Sequence, residues 1–476
     1  MSTTAKISAR ERINALLDDS SFVEVGKMVT VRNTDFNLQE KDAPADGVVT
    51  GYGVIDGNLV YVYSQDSSVL GGSIGEMHAK KIVQIYQMAM KMGAPVIGLL
   101  DCSGLRLQEA ADALNALGEI YMQQSLASGV IPQITAVFGQ CGGGLSVMQS
   151  LADFTFMEDN AKLFVNSPNA LDGNNDSKCD TSSAQFQSEK TDNVDFVGTE
   201  EEIFTNIRQL VSILPANNED NDSYDECTDD LNRACSEVEN CTEDTAAALA
   251  QISDDHFFME MKTNYAKDMV TGFIKLNGVT IGAVANRTKV FDDEMKVTDE
   301  FDAKISAKGA KKAADFITFC DAFEIPVLSL TNTTGFSTTM CSEKGLSHAI
   351  AKLTYAFANA TVPKVNLIIG EAFGSAYVAM NSKAVGADVT FAWPTAKVGT
   401  MDAKLAATII CGDDTAKITE TTNKYEQLQN SVETAAKRGY IDTIIEPVDT
   451  RKYVIGAFEM LFTKREERLA KKHGTV

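Results

Sequence analysis

Phe138-Gly139-Gln140-Cys141-Gly142-Gly143-Gly144-Leu145-Ser146 and Ile369-Gly370-Glu371-Ala372-Phe373-Gly374-Ser375-Ala376-Tyr377 are two small-residue turns, each leading from an apolar run into a helical pattern. They stand 231 residues apart, and the same offset carries Ala79-Lys80-Lys81 to Ala310-Lys311-Lys312, Pro95 to Pro326, Gly104 to Gly335 and Pro132 to Pro363. Upstream, Gly51–Val60 finds an echo in Gly272–Ile281, with Gly57 pairing Gly278 at an offset of 221. Downstream, after four inserted residues, Ala152-Asp153 meets Ala387-Asp388 and Ala161-Lys162 meets Ala396-Lys397. Recurrence at a nearly constant offset marks a duplicated domain.

Within one copy, strands and helices alternate. Leu59–Tyr63 is a short β-branched and aromatic run, and Met77–Met92 places Ile82, Val83, Tyr86 and Met90 at helical spacing. Val96–Leu100 reads as a strand, Glu109–Ser125 as a helix and Gln133–Phe138 as another strand. Apolar strands between amphipathic helices predict an α/β fold with helix-covered sheets in both halves. Each glycine turn then delivers the chain to a helix N-terminus, whose first N–H groups lack internal partners and sit at the positive end of the dipole. Small side chains let a ligand oxygen approach those groups, and such a cradle can hold the oxygen of an enolate. No G-x-S-x-G elbow, P-loop or dinucleotide glycine fingerprint occurs. Chemistry resting on backbone N–H groups needs none of them.

The chain has 476 residues, enough for two or three domains, and a net charge of −24. That charge excludes nucleic acid and anionic membrane surfaces as natural partners. No apolar run reaches the ~18 residues of a spanning helix. The start, Met1-Ser2-Thr3-Thr4-Ala5-Lys6, has no signal core, so a cytoplasmic location is expected. Nine cysteines without a C-x-x-C pair read as free thiols, and Cys227, Cys235 and Cys241 do not have zinc spacing, so no metal is expected. Between Asp172 and Asp255, 22 acidic residues face four basic ones. The run Asn217–Glu226 is too polar to bury, so residues 217–255 are expected to form a solvated acidic linker between a domain at 1–216 and another at 256–476, with a docking surface for a basic partner as the other reading of the acidic stretch.

Several strings make the chain resemble the carboxyltransferase family of biotin-dependent acyl-CoA carboxylases and decarboxylases. They include Lys6-Ile7-Ser8-Ala9-Arg10-Glu11-Arg12-Ile13, Gly71-Gly72-Ser73-Ile74-Gly75-Glu76-Met77-His78, Ala127-Ser128-Gly129-Val130-Ile131-Pro132-Gln133, Ala392-Trp393-Pro394-Thr395-Ala396, Lys437-Arg438-Gly439-Tyr440-Ile441-Asp442 and Lys472-His473-Gly474. The resemblance implies two crotonase-like (ClpP/crotonase) α/β domains, the first binding acyl-CoA and the second biotin, in a homohexamer built as a trimer of dimers. It implies that Gly143 and Gly144 donate to the thioester enolate oxygen, and that Ser375 and Ala376, after Gly374, hold the ureido oxygen of biotin beside Tyr377. Val378 lies where acyl preference varies, and Arg106 and His78 fall on the coenzyme A side: Arg106 either binds the coenzyme A phosphates or pairs with an acid such as Glu109, and His78 is a substrate-side residue or, as is commoner for a lone histidine, a satisfied structural one. Propionyl-CoA and methylmalonyl-CoA are the expected pair.

Ala89-Met90-Lys91-Met92 spells a biotin-attachment tetrapeptide, but it ends an amphipathic helix rather than capping a hairpin. Biotin is therefore expected on a separate biotin carboxyl carrier protein, with a biotin carboxylase or a membrane decarboxylase subunit as further partner. The family's Asp-Ser-Gly-Gly-Ala-Arg reads Asp101-Cys102-Ser103-Gly104-Leu105-Arg106 here, and its Asp-x-Pro-Gly-Phe reads Asn332-Thr333-Thr334-Gly335-Phe336. Two other readings stay open: a biotin-independent crotonase-fold decarboxylase or hydratase, and a catalytically silent subunit.

Overall fold

The computed structural model describes residues 7–32, 36, 43–220, 226–292 and 294–469. Lys6, the closing string Lys472-His473-Gly474 and residues Asn221–Asp225 of the acidic run lie outside the described residues. The chain divides into two compact units, Met1–Ser223 and Tyr224–Val476.

In the first unit, the sheet runs in the order Val23–Val25, Val48–Ile55, Asn58–Gln65, Val96–Cys102, Gln133–Gly142, Phe154–Glu158, Phe196–Gly198, with Lys162–Phe164 beside the end of Gln133–Gly142. The first three strands are antiparallel and the rest parallel. The hairpin closes on Asp56-Gly57, both at positive φ (49° and 84°), the conformation a two-residue turn between right-twisted strands requires. Val96–Cys102 is buried at every position, as expected of a parallel strand covered on both faces. The helices Glu76–Met92 and Ala110–Ala127 lay Ile82, Ile85, Tyr86, Leu117 and Ile120 on the sheet.

The second unit repeats this order: Phe258–Met261, Met269–Leu276, Val279–Asn286, Val327–Thr333, Lys364–Phe373, Val389–Ala392, Thr443–Ile444, with Lys397–Gly399 off the path. Its hairpin turns at Asn277-Gly278, again at positive φ (51° and 76°). The expected α/β fold in two duplicated halves is thus observed.

The acidic segment holds more than a connector. The helix Thr245–Ile252 buries Ala248, Leu249 and Ile252, and Cys235 and Val238 join the same core. This helix is the counterpart of Ala9–Leu16. Arg208 Nη1 donates to the carbonyl of Leu16 at 2.9 Å, and Arg451 Nη1 to that of Ile252 at 2.8 Å. Each arginine also reaches an aspartate, Asp18 at 2.8 Å and Asp254 at 2.6 Å. Those aspartates accept the N–H groups of the hairpin turns, Asp56 and Gly57 in one unit, Asn277 and Gly278 in the other. The second copy therefore begins inside residues 217–255. Eight residues offer one narrow apolar stripe, which the surrounding carboxylates obscure in the sequence.

Candidate functional site

The strand Gln133–Gly142 ends at Gly143, whose φ of 63° and ψ of −128° are closed to residues with a side chain. The Gly143 N–H donates to the carbonyl of Phe164 at 2.9 Å. That corrects the expected donor pair, because one of its two members is already engaged. The helix Gly144–Ser150 starts next, and no acceptor among the described residues takes the N–H of Gly144 or of Leu145. Gly143 shapes the turn, and Gly144 with Leu145 presents the donors.

Neighbours hold this helix from the side. The Tyr121 hydroxyl donates to the Gly144 carbonyl, Gln124 Nε2 to that of Met148 at 2.8 Å, and Ser146 Oγ to that of Gly143 at 2.7 Å. A Cβ on Gly144 would lie 2.9 Å from both Leu117 Cδ2 and Tyr121 Oη. Behind the turn, a Cβ on Gly139 would fall 2.0 Å from Asp101 Oδ1, so the strand can pass only as glycine. Asp101 accepts from Ser67 Oγ at 3.0 Å and Arg12 Nη1 at 3.3 Å, while its own N–H donates to Gln65 Oε1 at 3.1 Å.

The second turn is built alike. Gly374 has φ 63° and opens the helix Gly374–Ala379, with Ser375 exposed and Ala376 buried. Ser375 and Ala376 stand at the positions of Gly144 and Leu145, so the duplication itself points to the corrected pair. A Cβ on Gly370 would lie 2.5 Å from Asn332 Oδ1, as Gly139 meets Asp101. The Asn332 N–H donates to Asn286 Oδ1 at 2.9 Å, and Asn286 is the counterpart of Gln65. Asn332 replaces the family's aspartate where Ala248 replaces Arg12: the acid and its cation are absent together.

Tyr377 packs against Ile368, Ala372 and Ala392, and burial pushes its phenol up to about 12. Val378 is 39% exposed on the outer side of that helix. Lys91 lies in the last turn of Glu76–Met92, before Gly93 at φ 62°, so the biotin-like tetrapeptide is helical.

Arg106 and His78 do not reach the turns as ligand contacts. Arg106 is 2% exposed; its Nη1 bonds Asp46 Oδ1 at 2.6 Å and Glu109 Oε1 at 2.9 Å, and its Nη2 the Ser73 carbonyl at 2.8 Å. A guanidinium committed to two buried carboxylates is not available to a coenzyme A phosphate, so that expectation is corrected. His78 is wholly buried, with Nδ1 2.9 Å from the Asp46 carbonyl and Nε2 3.3 Å from Gln65 Nε2. Nδ1 therefore carries the hydrogen, and burial, reinforced by the Arg106 charge, lowers the ring's pKa to about 3. It is a structural histidine. Tyr121, Phe164 and Leu145 went unseen in the sequence; only the offset from Ala376 to Leu145 could have signalled one of them.

The carboxyl transferase domain model matches residues 3–476. The methylmalonyl-CoA decarboxylase subunit alpha of Propionigenium modestum is 39% identical over 99% of this chain and 93% of its own length. The propionyl-CoA carboxylase beta chain of Roseobacter denitrificans is 39% identical over 99% and 94%. The transcarboxylase 12S crystal structure, described as a hexamer with hydrolysed methylmalonyl-CoA bound, superimposes with a TM-score of 0.91 at 34% identity, covering 98% of this chain and 92% of that one. The two halves are thus the crotonase-like domains of that architecture. No helix among the described residues is long and apolar enough to cross a membrane. With a family model spanning almost every residue and carboxylase and decarboxylase relatives aligned from end to end, the chain belongs to the carboxyl transferase domain family and is a carboxyltransferase of the biotin-dependent acyl-CoA enzymes.

Proposed function

We propose that this chain moves a carboxyl group between biotin, carried by a separate protein, and the α-carbon of a short-chain acyl-CoA, with propionyl-CoA and methylmalonyl-CoA as the pair. One observation carries the reading: each half presents two consecutive N–H groups at an equivalent strand-to-helix turn. In the first half, Gly144 and Leu145 would donate to the thioester oxygen as it gains charge in the enolate. Donors fixed in advance need no reorganisation when that charge appears. In the second half, Ser375 and Ala376 would hold the ureido oxygen of biotin, with Gly374 allowing close approach. That cradle suits a neutral carbonyl: small residues line it and Tyr377 adds an apolar flank.

Biotin, when bound, supplies the carboxyl group and the site of proton exchange. The chain's own residues orient the thioester, stabilise charge on its oxygen and exclude water. Gly143 acts through shape, since any side chain there would be strained. Val378, exposed beside the second turn, remains the candidate for acyl selectivity.

Self-association as a hexamer, the state described for the transcarboxylase relative, is part of the proposal. The helix Ala403–Cys411 supports it by exposing Leu405 at 53%, Ile409 at 64% and Ile410 at 64%, an apolar face of the kind that marks interfaces. The net direction of transfer would be set by the partner, a biotin carboxylase or a membrane decarboxylase subunit.

The test is loss of the carboxyl group from methylmalonyl-CoA, then malonyl-CoA, with and without millimolar free biotin. Biotin-dependent loss is expected, faster with methylmalonyl-CoA. Loss without biotin would instead identify a crotonase-type decarboxylase. Absence of turnover together with absence of coenzyme A binding would identify a silent subunit.

A further inference from the structure

The helix Gly374–Ala379, which carries the second turn's donors, runs out at Met380 and Asn381, the latter at φ 54°. Beneath it lies a polar network inside the core. Asn381 Nδ2 donates to Ser329 Oγ at 3.0 Å, and Ser329 Oγ donates to Asn366 Oδ1 at 3.0 Å. Thr331 Oγ1 donates to the same Oδ1 at 2.9 Å and lies 3.4 Å from the Met380 carbonyl. All four side chains belong to residues at 0% exposure. The far end of the helix is therefore tied to two adjacent parallel strands, Val327–Thr333 and Lys364–Phe373.

The first half ties the end of its own turn helix differently, through Gln149 Nε2, which donates to Thr155 Oγ1 at 2.6 Å, with Thr155 Oγ1 3.1 Å from Thr135 Oγ1. In the places of Ser329, Thr331 and Asn366 it has Gly98, Leu100 and Thr135, and Gly98 packs under the Tyr63 ring. A buried polar network costs free energy unless it is well satisfied, and this one is not complete. Asn366 Nδ2, Asn381 Oδ1 and Thr390 Oγ1 find no partner, and Thr390 is the register neighbour of Asn366. The duplicated domain can be built with apolar and smaller residues at two of these places, so the polar set is not a requirement of the fold.

We propose that Asn381 and Asn366 are positioning residues for the second turn. Through Ser329 and Thr331 they fix the end of a helix only six residues long, and so set where the Ser375 and Ala376 N–H groups point. A helix of that length spans about 9 Å, so a tilt at one end moves the other. Misplacement by about 1 Å is enough to cost about 10²-fold in rate. This rests on the reading that the second turn receives biotin.

The experiment uses the full chain. Asn381→Gly removes the amide and keeps the left-handed backbone. The expected result is a folded protein with unchanged KM for methylmalonyl-CoA, kcat lowered about 10- to 100-fold and a raised KM for free biotin. Thr331→Val should follow it, while Thr331→Ser, which keeps the hydroxyl, should restore most of the rate. A lowered melting temperature with kcat and both KM values unchanged would overturn the proposal, as would equal behaviour of Thr331→Val and Thr331→Ser. If Asn381→Gly fails to fold, the threonine pair decides alone. A wild-type chain that turns over without biotin would overturn the reading of the second turn, and this proposal with it.

Discussion

The two glycine turns share a backbone and differ in what holds them. At the first, a helix lying alongside shares the task with the sheet: Tyr121 and Gln124 bond the carbonyls of Gly144 and Met148, and Gln149 reaches Thr155 on the sheet. At the second, the sheet underneath holds the helix, through Ser329, Thr331 and Asn366. The supports behind them differ as well, Arg12 with Asp101 against Ala248 with Asn332. Duplication thus retained the geometry of the N–H donors and let the means of fixing it diverge. That is the outcome expected if donor placement, rather than any particular supporting side chain, is what function requires.

The largest effect is expected where this divergence involves buried charge. Arg12→Ala leaves Asp101 and Glu200 without their cation, and should destabilise the first unit by about 3–5 kcal/mol, read as faster hydrogen exchange in its core strands. Adding Asp101→Asn reproduces the second half's pairing and should recover about 2 kcal/mol of it. Absence of recovery would show that Asp101 serves something beyond Arg12.

Ser375→Pro deletes one donor while the first turn of a helix tolerates the ring. Biotin-dependent turnover should fall about 10²- to 10³-fold with acyl-CoA affinity intact, checked by steady-state kinetics and calorimetric coenzyme A binding. Loss of acyl-CoA binding as well would undo the division of labour between the halves.

A third test contrasts two buried lysines at equivalent places, Lys81 and Lys312. Lys312 Nζ donates to the carbonyls of Lys262 at 2.9 Å and Tyr265 at 3.0 Å, and burial lowers its pKa to about 7. Lys81, also lowered by burial but helped by Glu24 and Asp46, lies near about 8. Because the unfolded chain holds the Lys312 proton up to its ordinary value, stability contributed by this group rises between pH 7 and pH 10.5. Lys312→Met should remove up to about 1.4 kcal/mol per pH unit from that rise, measured by urea unfolding at several pH values. An unchanged slope would mean that Lys312 titrates normally. The smallest effect belongs to Tyr121→Phe: about 1 kcal/mol in transition-state stabilisation, confined to the acyl-CoA half of the reaction.

Much of the architecture was legible because repetition is a global signal. Matching prolines and glycines at one offset survive local ambiguity, and the hairpin turns Asp56-Gly57 and Asn277-Gly278 fix register on both sides. The helix Thr245–Ile252 was not legible, since its buried face has only three apolar residues, Ala248, Leu249 and Ile252, beside Thr245 in an acidic background. The two turns were legible as strand-to-helix turns, but which of their N–H groups stay open was not. Gly143 is marked by its sequence as part of the turn, but only the fold brings the Phe164 carbonyl to its N–H. At Arg106 and His78 the sequence left a ligand role and a structural role both open: a family-like string says that a residue matters, and burial decides that these two hold the fold. The amide network below the second turn left no sequence signal, because Asn366 and Asn381 stand far apart in the chain and look like ordinary polar residues.

His78 carries one more consequence. A ring kept neutral in the folded chain down to about pH 3, and free to protonate near 6.5 once unfolded, stabilises the first unit fully above pH 6.5 and progressively less as acid is added. Its counterpart in the second unit is Gly309, which has nothing to titrate. Asp153 opposes His78 in the same unit: burial raises that carboxyl to about 7, so its contribution grows as acid is added between pH 7 and pH 3.8 while that of His78 shrinks. The His78 proton resonance, stationary while its unit stays closed, would report the moment it opens.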